Sequence, residues 1–347
     1  MRILRTGLIG YGLSGEIFHA PFIKAIEGFE LTKVVSSNPE KVSKHFPQVE
    51  VVLEVEQLLE DERIDLIIIT TPNTTHHALA KKALLAGKHV VVEKPFVNHA
   101  SDAEELIEIA TKSNKVLTVF QNRRWDNDFL TVKQCIASGT LGEIFSFESH
   151  FDRYRPQVTK RWREQDLDGS GILYDLGAHL IDQALHLFGL PETVQGDVRV
   201  QREYGVADDY FHIVLGYGKL RVILHSSCIV KQSGPRFQVH GSQGSFIKYG
   251  LDSQEEALKA GGIPGGSQWG KDREDRYGEL TIQLGGLDLK SKVETIHGRY
   301  DTFYKELYHA IVDHSPVPVL AFDAMNTIKI IEAVKQSSKE LRTLNYI

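Results

Sequence analysis

The chain has 347 residues, a length that favours two domains because a single hydrophobic core rarely grows so large. Hydrophobic residues make up 41% and charged residues 25%, a balance that excludes disordered, collagen-like and low-complexity proteins. The net charge is -6 without long blocks of like charge, so the sequence lacks the basic surface needed to bind nucleic acid or anionic lipid.

The two cysteines, Cys135 and Cys228, lie far apart and form no CxxC pair. This spacing argues against a disulfide framework and a structural zinc site, so we expect two buried thiols. No apolar run reaches the roughly 18 residues of a transmembrane helix. We therefore expect a cytoplasmic protein that does not bind membranes.

Residues 1–122 alternate short apolar runs with amphipathic segments, which predicts an α/β domain with a doubly wound parallel sheet. Continuous apolar runs predict strands buried on both faces at Ile3–Ile9, Leu31–Val35, Leu66–Thr70, Val90–Val92 and Val116–Phe120. Helices are predicted at Ile17–Ile26, His76–Ala86 and Asp102–Lys112, the last opening with Ser101, Asp102 and Glu104 as cap and first-turn acids.

The pattern changes in residues 123–347, where we predict a second, α+β domain. Helices are predicted at about 126–138, 171–188, 301–313 and 322–340. Strands are predicted at 143–151, 193–203, 209–217, 219–230 and 236–248, and the last four follow one another without helices. This order favours an open, mainly antiparallel sheet, and the glycine-rich stretch 261–270 is predicted to be a loop.

The six residues that directly follow the first predicted strand fit the GxGxxG pattern of a dinucleotide-binding turn. They are Gly10-Tyr11-Gly12-Leu13-Ser14-Gly15. The first glycine permits the tight turn, the second lets backbone amides approach a pyrophosphate, and the third lets helix and strand pack closely. A merely glycine-rich turn is the alternative, and the neighbouring βαβ pattern argues against it. We therefore predict an NAD(P)-binding Rossmann domain.

The second strand ends in Ser36, Ser37 and Asn38, with Lys41 beyond, and no carboxylate stands where an NAD site usually has one. Small hydroxyl groups and a cation suit the 2′-phosphate of NADP, which a carboxylate would repel. The sequence thus favours NADP(H), and a site that accepts NAD(H) as well is the alternative.

Lys94 lies in Glu93-Lys94-Pro95, directly after the predicted strand Val90–Val92. Ligands of open α/β sheets bind at the carboxyl ends of the strands, so Lys94 is a catalytic candidate. The alternative is a solvated charge at a strand end.

The predicted helix 171–188 is strongly apolar but carries Asp175, His179, Asp182 and His186 at spacings of 4, 3 and 4. At about 100° per residue these side chains share an arc of roughly 60°, which faces either water or a cleft. Asp175 and His179 are spaced to act as an acid–base pair. His186 is better explained as a rim or packing residue, and no matching cluster of ligands predicts a metal site.

Together the motifs resemble those of the Gfo/Idh/MocA family of NAD(P)-dependent oxidoreductases across essentially the whole chain. The residues that carry the resemblance are the glycine motif, Thr71-Pro72-Asn73-Thr74-Thr75-His76, Glu93-Lys94-Pro95, and Asp175 with His179. Finer similarity, at Gln121–Leu130, Arg153–Pro156, Arg161–Glu164, Tyr174–His179 and His240–Glu256, is to a subgroup that includes an NADP-dependent scyllo-inositol dehydrogenase.

The resemblance implies a role for each matching residue. Lys94 would hydrogen-bond the reacting oxygen, His179 would be the general base, and Asp175 would bind substrate and hold the histidine. The cofactor site would also include Glu93, preceding a cis bond to Pro95, and Thr71, Pro72, Asn73, His76, Asn122, Trp162 and Arg163. Tyr154 is a candidate for the substrate wall, although it could simply pack.

The implied activity is reversible oxidation of a secondary alcohol on a cyclic polyol or sugar, in a homodimer or homotetramer. The alternatives are another sugar or a dihydrodiol as substrate, or a non-catalytic NADP-responsive regulator. Ser37 stands where NAD-linked members carry an acid, and the chain starts almost at its first strand, unlike the exported members with a twin-arginine signal.

Overall fold

The computed structural model describes residues 2–346, and contacts along the chain separate it into two compact units. The first unit comprises Met1–Asn122, Gln254–Trp269 and Arg299–Met325, and the second comprises Arg123–Ser253, Gly270–Gly298 and Asn326–Ile347. Within residues 2–346, every helix is too short or too polar to cross a membrane.

The first unit contains a six-stranded sheet in the order β3-β2-β1-β4-β5-β6, with parallel pairing throughout. Its strands are β1 (Leu4–Ile9), β2 (Phe29–Val35), β3 (Glu50–Val52), β4 (Leu66–Ile69), β5 (His89–Val92) and β6 (Leu117–Val119). This order is that of a doubly wound Rossmann sheet, so the predicted fold class of this part is confirmed. The central strand β4 is fully buried, as its continuous apolar run predicts.

The helices of the first unit are α1 (Ala20–Ala25), α2 (Pro39–Ser43), α3 (Val55–Leu59), α4 (His76–Leu85), α5 (Ala100–Lys112), α8 (Gln254–Lys259) and α9 (Tyr300–Val312). The sequence did not predict β3, α2, α3 or α8, because segments of three to six residues are too short to show a period.

Two helix predictions in the first unit need correction. The helix after β1 opens as a π-helical segment, Gly15–His19, before it continues as α1. Helix α5 begins at Ala100, so Ser101 and Asp102 lie inside its first turn, and His99 occupies the cap position, where its side chain does not cap the helix. Spacing predicted both helices, but it could not predict the first hydrogen bonds of either one.

The second unit contains a nine-stranded sheet in the order β14-β13-β12-β11-β7-β10-β9-β8-β15. Its strands are β7 (Ile144–His150), β8 (Thr193–Arg199), β9 (Tyr210–Tyr217), β10 (Leu220–Ser227), β11 (Phe237–Gly241), β12 (Gly244–Lys248), β13 (Gly278–Leu284), β14 (Leu287–Val293) and β15 (Leu344–Asn345). Strands β7 and β10 pair in parallel and the other pairs are antiparallel, so the predicted mainly antiparallel sheet is confirmed.

The single strand predicted at 236–248 is wrong: β11 and β12 form a hairpin across Ser242 and Gln243. Strands β13 and β14 were not predicted, although Leu280, Ile282 and Leu284 on β13 and Leu287 and Leu289 on β14 alternate with polar residues; β14 is exposed along most of its length. The helices that include residues of this unit are α6 (Asn127–Ala137), α7 (Ala178–Phe188) and α10 (Ala321–Glu340). Cys228 is buried as expected, whereas Cys135 on α6 is partly exposed.

Candidate active site

The turn after β1 has the geometry that its three glycines predict. Gly10 has a φ of +94°, which L side chains rarely adopt. A Cβ on Gly15 would lie 2.5 Å from the Gly10 carbonyl oxygen, so only glycine allows the π-helical segment to start this close to the strand. A Cβ on Gly12 would meet nothing within 4 Å among the described residues, and Leu13 beside it is 59% exposed. The turn therefore presents an open backbone surface that a dinucleotide can approach.

Glu93, at the carboxyl end of β5, joins this turn to the rest of the first unit. Its Oε1 accepts hydrogen bonds from the Ser14 hydroxyl and from His19 Nε2, the latter at 2.9 Å. Its Oε2 accepts the Lys94 backbone N–H at 2.9 Å. His19 Nδ1 lies 2.6 Å from the hydroxyl of the buried Tyr304 on α9. The buried carboxylate thus holds the glycine turn and the β5 end in a fixed relation.

The charge of Glu93 is stabilised by these neighbours. Burial works against ionisation, but hydrogen bonds from His19 and Ser14 and the charge of Lys94 lower the Glu93 pKa to about 2. Burial raises the pKa of Tyr304 well above its usual value, so its hydroxyl remains protonated. At neutral pH the network therefore contains one buried carboxylate, and it is compensated by several donors.

The end of β2 is polar and open. Ser36 is half-buried, Ser37 and Asn38 are exposed, and Asn38 caps α2 by accepting the Lys41 backbone N–H at 3.0 Å. The Lys41 ammonium lies 3.2 Å from the Tyr11 carbonyl oxygen and 2.7 Å from Glu16 Oε2. The structure therefore brings a lysine beside the glycine turn, together with an acid that sequence reasoning did not identify.

The segment after β4 is held by His76. Its Nδ1 lies 2.9 Å from the Pro95 carbonyl oxygen, and its Nε2 lies 3.0 Å from that of Thr71. Burial lowers the His76 pKa. Asn73 is buried at the start of a short 3₁₀ turn that Pro72 precedes. His76 thus ties the β4 end to the β5 end, and this is a positioning role.

Lys94 is half-buried at the carboxyl end of β5, in the place that the sequence predicts. The Lys94–Pro95 peptide bond is cis, as the family resemblance implies. Asn122 is buried where the chain leaves the sheet. In the first unit, the glycine turn and the ends of β2, β4 and β5 therefore lie along one edge of the parallel sheet.

In the second unit, Asp175 lies in a π-helical segment, Leu173–Gly177, that precedes α7. Its carboxylate is 3.4 Å from Arg153 Nη1 and 3.5 Å from Arg163 Nε. His179 follows on α7 and is 4% exposed. The π-helical segment changes the rotation per residue, so the regular spacing assumed for a single α-helix 171–188 does not describe Asp175.

The predicted polar arc on this helix is wrong as a single surface. Asp182 is buried and makes a bidentate ion pair with Arg124, at 2.9 and 2.7 Å. His186 is exposed and lies 2.8 Å from Lys133 Nζ. The two residues have different surroundings because the Arg124 guanidinium pairs with the Asp182 carboxylate inside the unit. The helical spacing of the sequence does not predict such a pairing.

The remaining predicted residues lie on the loop between β7 and the π-helical segment. Trp162 opens a short 3₁₀ turn, and the Arg163 guanidinium lies 4.8 Å from the centre of its ring. Tyr154 is 50% exposed and makes an isolated bridge to Ile229.

Sequence reasoning missed three kinds of site residue: the hydrogen-bond partners of Glu93, the acid beside Lys41, and Arg153, which lies beside Asp175. Arg163, the second arginine beside Asp175, was predicted, but as a residue of the cofactor site. Ser14 lies within the glycine motif and Glu16 directly follows it, so inspection of the polar residues in and beside the motif could have identified both. Arg153 belongs to the segment Arg153–Pro156, which carries part of the family resemblance, but the sequence assigned no function to it. Tyr304 gave no local signal, because it reaches His19 only through the tertiary fold.

Both parts of the chain match models of one family. Residues 4–121 match its "NAD-binding Rossmann fold" and residues 133–345 match its "C-terminal alpha/beta domain". The chain belongs to the Gfo/Idh/MocA oxidoreductase family. The open glycine turn fits the dinucleotide that this Rossmann fold binds, since its backbone is accessible where a pyrophosphate must approach.

Individual members of the Gfo/Idh/MocA family align over nearly the whole chain. Identity is 44% with the scyllo-inositol 2-dehydrogenase (NADP(+)) IolW of Bacillus subtilis, over 98% of this chain and 95% of that protein. Identity is 48% with the uncharacterized oxidoreductase YdgJ of Escherichia coli, over 98% of both chains. The solved structure of yvaA from Bacillus subtilis has a TM-score of 0.96 and 43% identity, covering 99% of this chain and 100% of that one.

These similarities establish the enzyme class. The protein is an NAD(P)-dependent dehydrogenase that acts on CH–OH groups. A regulator without catalytic activity, which the sequence left open, does not agree with this class.

Proposed function

We propose that this dehydrogenase oxidises a secondary alcohol of a cyclic polyol, that its substrate is scyllo-inositol, and that its preferred cofactor is NADP. The observation that carries the proposal is the 44% identity, over 98% of the chain, with an NADP-dependent scyllo-inositol 2-dehydrogenase. Uncharacterized oxidoreductases align equally well, so the substrate needs a direct test.

The end of β2 supports the cofactor preference. Ser37 and Asn38 are exposed and small, and Lys41 is one short turn away. A 2′-phosphate can accept hydrogen bonds from the serine hydroxyls and gain from the lysine charge. Glu16, at 2.7 Å from Lys41 Nζ, offsets part of that charge and would leave some affinity for NAD.

We assign the chemistry to Lys94, Asp175 and His179. The nicotinamide, when bound, exchanges a hydride with the substrate carbon. His179 takes the proton of the substrate hydroxyl, and the Lys94 ammonium stabilises the negative charge that develops on that oxygen. Asp175 binds a substrate hydroxyl and orients His179, while Arg153 and Arg163 hold its carboxylate in place.

The cofactor site in this proposal keeps every residue of the sequence prediction. Its members are Gly10, Tyr11, Gly12, Leu13, Gly15, Ser36, Ser37, Lys41, Thr71, Pro72, Asn73, His76, Glu93, Lys94, Asn122, Trp162 and Arg163. Tyr154 remains the proposed substrate-wall residue. Residues 1–122 and 123–347 remain the proposed cofactor-binding and substrate-binding domains, and the assembly is proposed to be a homodimer or homotetramer.

The proposal is tested by initial rates of the purified protein with scyllo-inositol, myo-inositol, glucose and xylose. Each substrate is assayed with NADP and separately with NAD, by the absorbance of the reduced nicotinamide. We expect scyllo-inositol with NADP to give the highest kcat/KM. NADPH binding, measured by its fluorescence, serves as the control for an intact cofactor site.

A higher kcat/KM for another polyol would overturn the substrate, and a higher kcat/KM with NAD would overturn the cofactor preference. If no polyol reacts while NADPH still binds, the polyol proposal is wrong and the substrate is another alcohol, such as a different sugar or a dihydrodiol. Family membership does not depend on these outcomes.

A further inference from the structure

Two histidines occupy paired positions on neighbouring strands of the second unit's sheet. His150 ends β7 and His225 lies on β10, and the two are direct partners in the parallel register. Their ring centres are 5.1 Å apart. The inward-facing neighbours Ser149 and Leu224 are fully buried, whereas both histidines are only half-buried, so the imidazoles lie on the opposite face of the sheet.

Asp152 places its carboxylate between the two imidazoles. Its Oδ1 is 3.0 Å from His225 Nδ1, and its Oδ2 is 3.7 Å from His150 Nδ1. One donor atom from each of the three side chains lies within 4.8 Å of the others. Ligands bound at about 2.0–2.2 Å around one tetrahedral zinc ion are about 3.3 Å apart, so small side-chain rotations would bring these atoms onto a common centre.

Two neighbouring groups orient the donors. His150 Nε2 is 3.4 Å from Glu148 Oε2, an arrangement that leaves Nδ1 facing Asp152. Asp152 Oδ1 also accepts the Ser227 backbone N–H at 3.0 Å, which fixes the carboxylate. A carboxylate that holds the outer nitrogen of a histidine is the usual support of a metal-bound imidazole, since it sets the tautomer and the ring direction.

His225 Nδ1 is a buried donor atom that faces Asp152. It lies 3.0 Å from Asp152 Oδ1 and has no other hydrogen-bond partner within residues 2–346, so it is available to an ion that enters between the two side chains.

We propose that His150 Nδ1, His225 Nδ1 and the Asp152 carboxylate form a binding site for one divalent transition-metal ion of the Zn²⁺ class. Two imidazole nitrogens and one carboxylate oxygen suit Zn²⁺, Co²⁺ or Ni²⁺ better than Mg²⁺ or Ca²⁺, which prefer all-oxygen ligands. Three protein ligands leave a coordination position for water or another donor. None of the three ligand side chains is among the proposed dehydrogenase residues.

The test is metal binding by the full chain after removal of bound metal with a chelator. Titration with Zn²⁺ in a calorimeter gives the stoichiometry and affinity, and titration with Co²⁺ gives a visible absorption that reports nitrogen and oxygen coordination. We expect one ion per chain. His225→Gln and Asp152→Asn are each expected to weaken metal binding at least tenfold. Each should also abolish the visible absorption that appears when one Co²⁺ ion is added per chain.

His240→Gln is the matched control, because His240 lies on β11 of the same sheet and pairs with Ser245 instead of the cluster. It should bind metal as the unaltered protein does. Asp152→Asn keeps the side-chain shape and an oxygen for the Ser227 N–H, so it carries the test if His225→Gln fails to fold. The proposal is wrong if the unaltered chain binds no stoichiometric ion, or if both cluster variants bind as tightly as the control.

Discussion

Lys94 and His179 are the residues on which the proposed proton chemistry depends. Lys94→Ala removes the charge that stabilises the substrate oxygen, and His179→Ala removes the base. Because a positioned base or an electrostatic stabiliser contributes about 10²–10⁴-fold, each change should lower kcat at least about a hundredfold. Neither change removes the glycine turn, so the Kd of NADPH should stay within about tenfold.

The matched control for the lysine is Lys112→Ala, since Lys112 is an exposed residue of α5 that pairs with Glu108. Its kcat should equal that of the unaltered protein. Nearly normal rates in both Lys94→Ala and His179→Ala would contradict the assignment.

Ser37 is the residue on which cofactor choice should depend most strongly. In Ser37→Glu, a carboxylate at the exposed end of β2 would repel a 2′-phosphate and could accept hydrogen bonds from the ribose hydroxyls of NAD. We expect the ratio of kcat/KM for NADP to that for NAD to fall at least tenfold. Ser37→Ala, which adds no charge, should shift the ratio far less; equal shifts in the two variants would argue against an electrostatic cause.

At the scale of elements, two glycines of the turn between β1 and the π-helical segment have different roles. Gly15 allows the helix to pack closely on the strand, and Gly12 leaves room for the cofactor. A Cβ on Gly15 would lie 2.5 Å from the Gly10 carbonyl oxygen, so Gly15→Ala must push the helix away from the strand. We expect a lower Tm and at least tenfold weaker NADPH binding, because overpacking costs about 1–3 kcal/mol and moves the backbone amides.

Gly12→Ala is the companion variant. Its Cβ would meet nothing within 4 Å in residues 2–346, so the Tm without cofactor should be unchanged, while NADPH binding should weaken where the methyl group blocks the pyrophosphate. Thermal unfolding and NADPH fluorescence measure both quantities. A Gly12→Ala protein that binds NADPH normally would show that the dinucleotide does not approach this part of the turn.

The ion pair of Asp182 with Arg124 links α7 to the segment before α6. Asp182→Ala leaves a buried guanidinium without its carboxylate, a change that typically costs about 3–5 kcal/mol. We expect a clear fall in the urea midpoint, with kcat of the folded fraction unchanged because the residue is structural. The double variant Asp182→Leu, Arg124→Met should recover part of the stability; a large loss of kcat in the folded double variant would instead indicate a catalytic role.

At the scale of the whole molecule, Glu93 should make stability depend on acid pH. Its pKa is about 2 in the folded protein against an ordinary 4.5, so the folded state binds this proton more weakly than the unfolded state. The ionised carboxylate therefore stabilises the fold above pH 4.5, by about 3 kcal/mol, and this contribution is lost as the pH falls towards 2.

The measurement is urea unfolding of the unaltered protein and of Glu93→Gln between pH 2 and pH 7. The two unfolding free energies should differ most at neutral pH, and the difference should shrink as the pH falls from 4.5 towards 2. A difference that stays constant over this range would mean that the Glu93 charge does not contribute to stability.

The sequence by itself determined the features that depend on neighbouring residues. Continuous apolar runs identified five of the six strands of the parallel sheet, all except the short β3, because strands buried on both faces need no polar alternation. The GxGxxG turn was recognisable because each glycine answers a local requirement, a positive φ at Gly10 and a close approach at Gly15. Lys94 followed from its place at a strand end, and the family resemblance followed from these motifs together.

Only the tertiary structure decided which distant residues meet. Asp182 pairs with Arg124, and Tyr304 reaches His19, across separations that no local period records. His150 and His225 adjoin because β7 and β10 pair in parallel, in a register that the sequence does not show. The physical reason is that side-chain pairing and burial are set by contacts between elements, whereas periodicity reports only which face of one element is apolar.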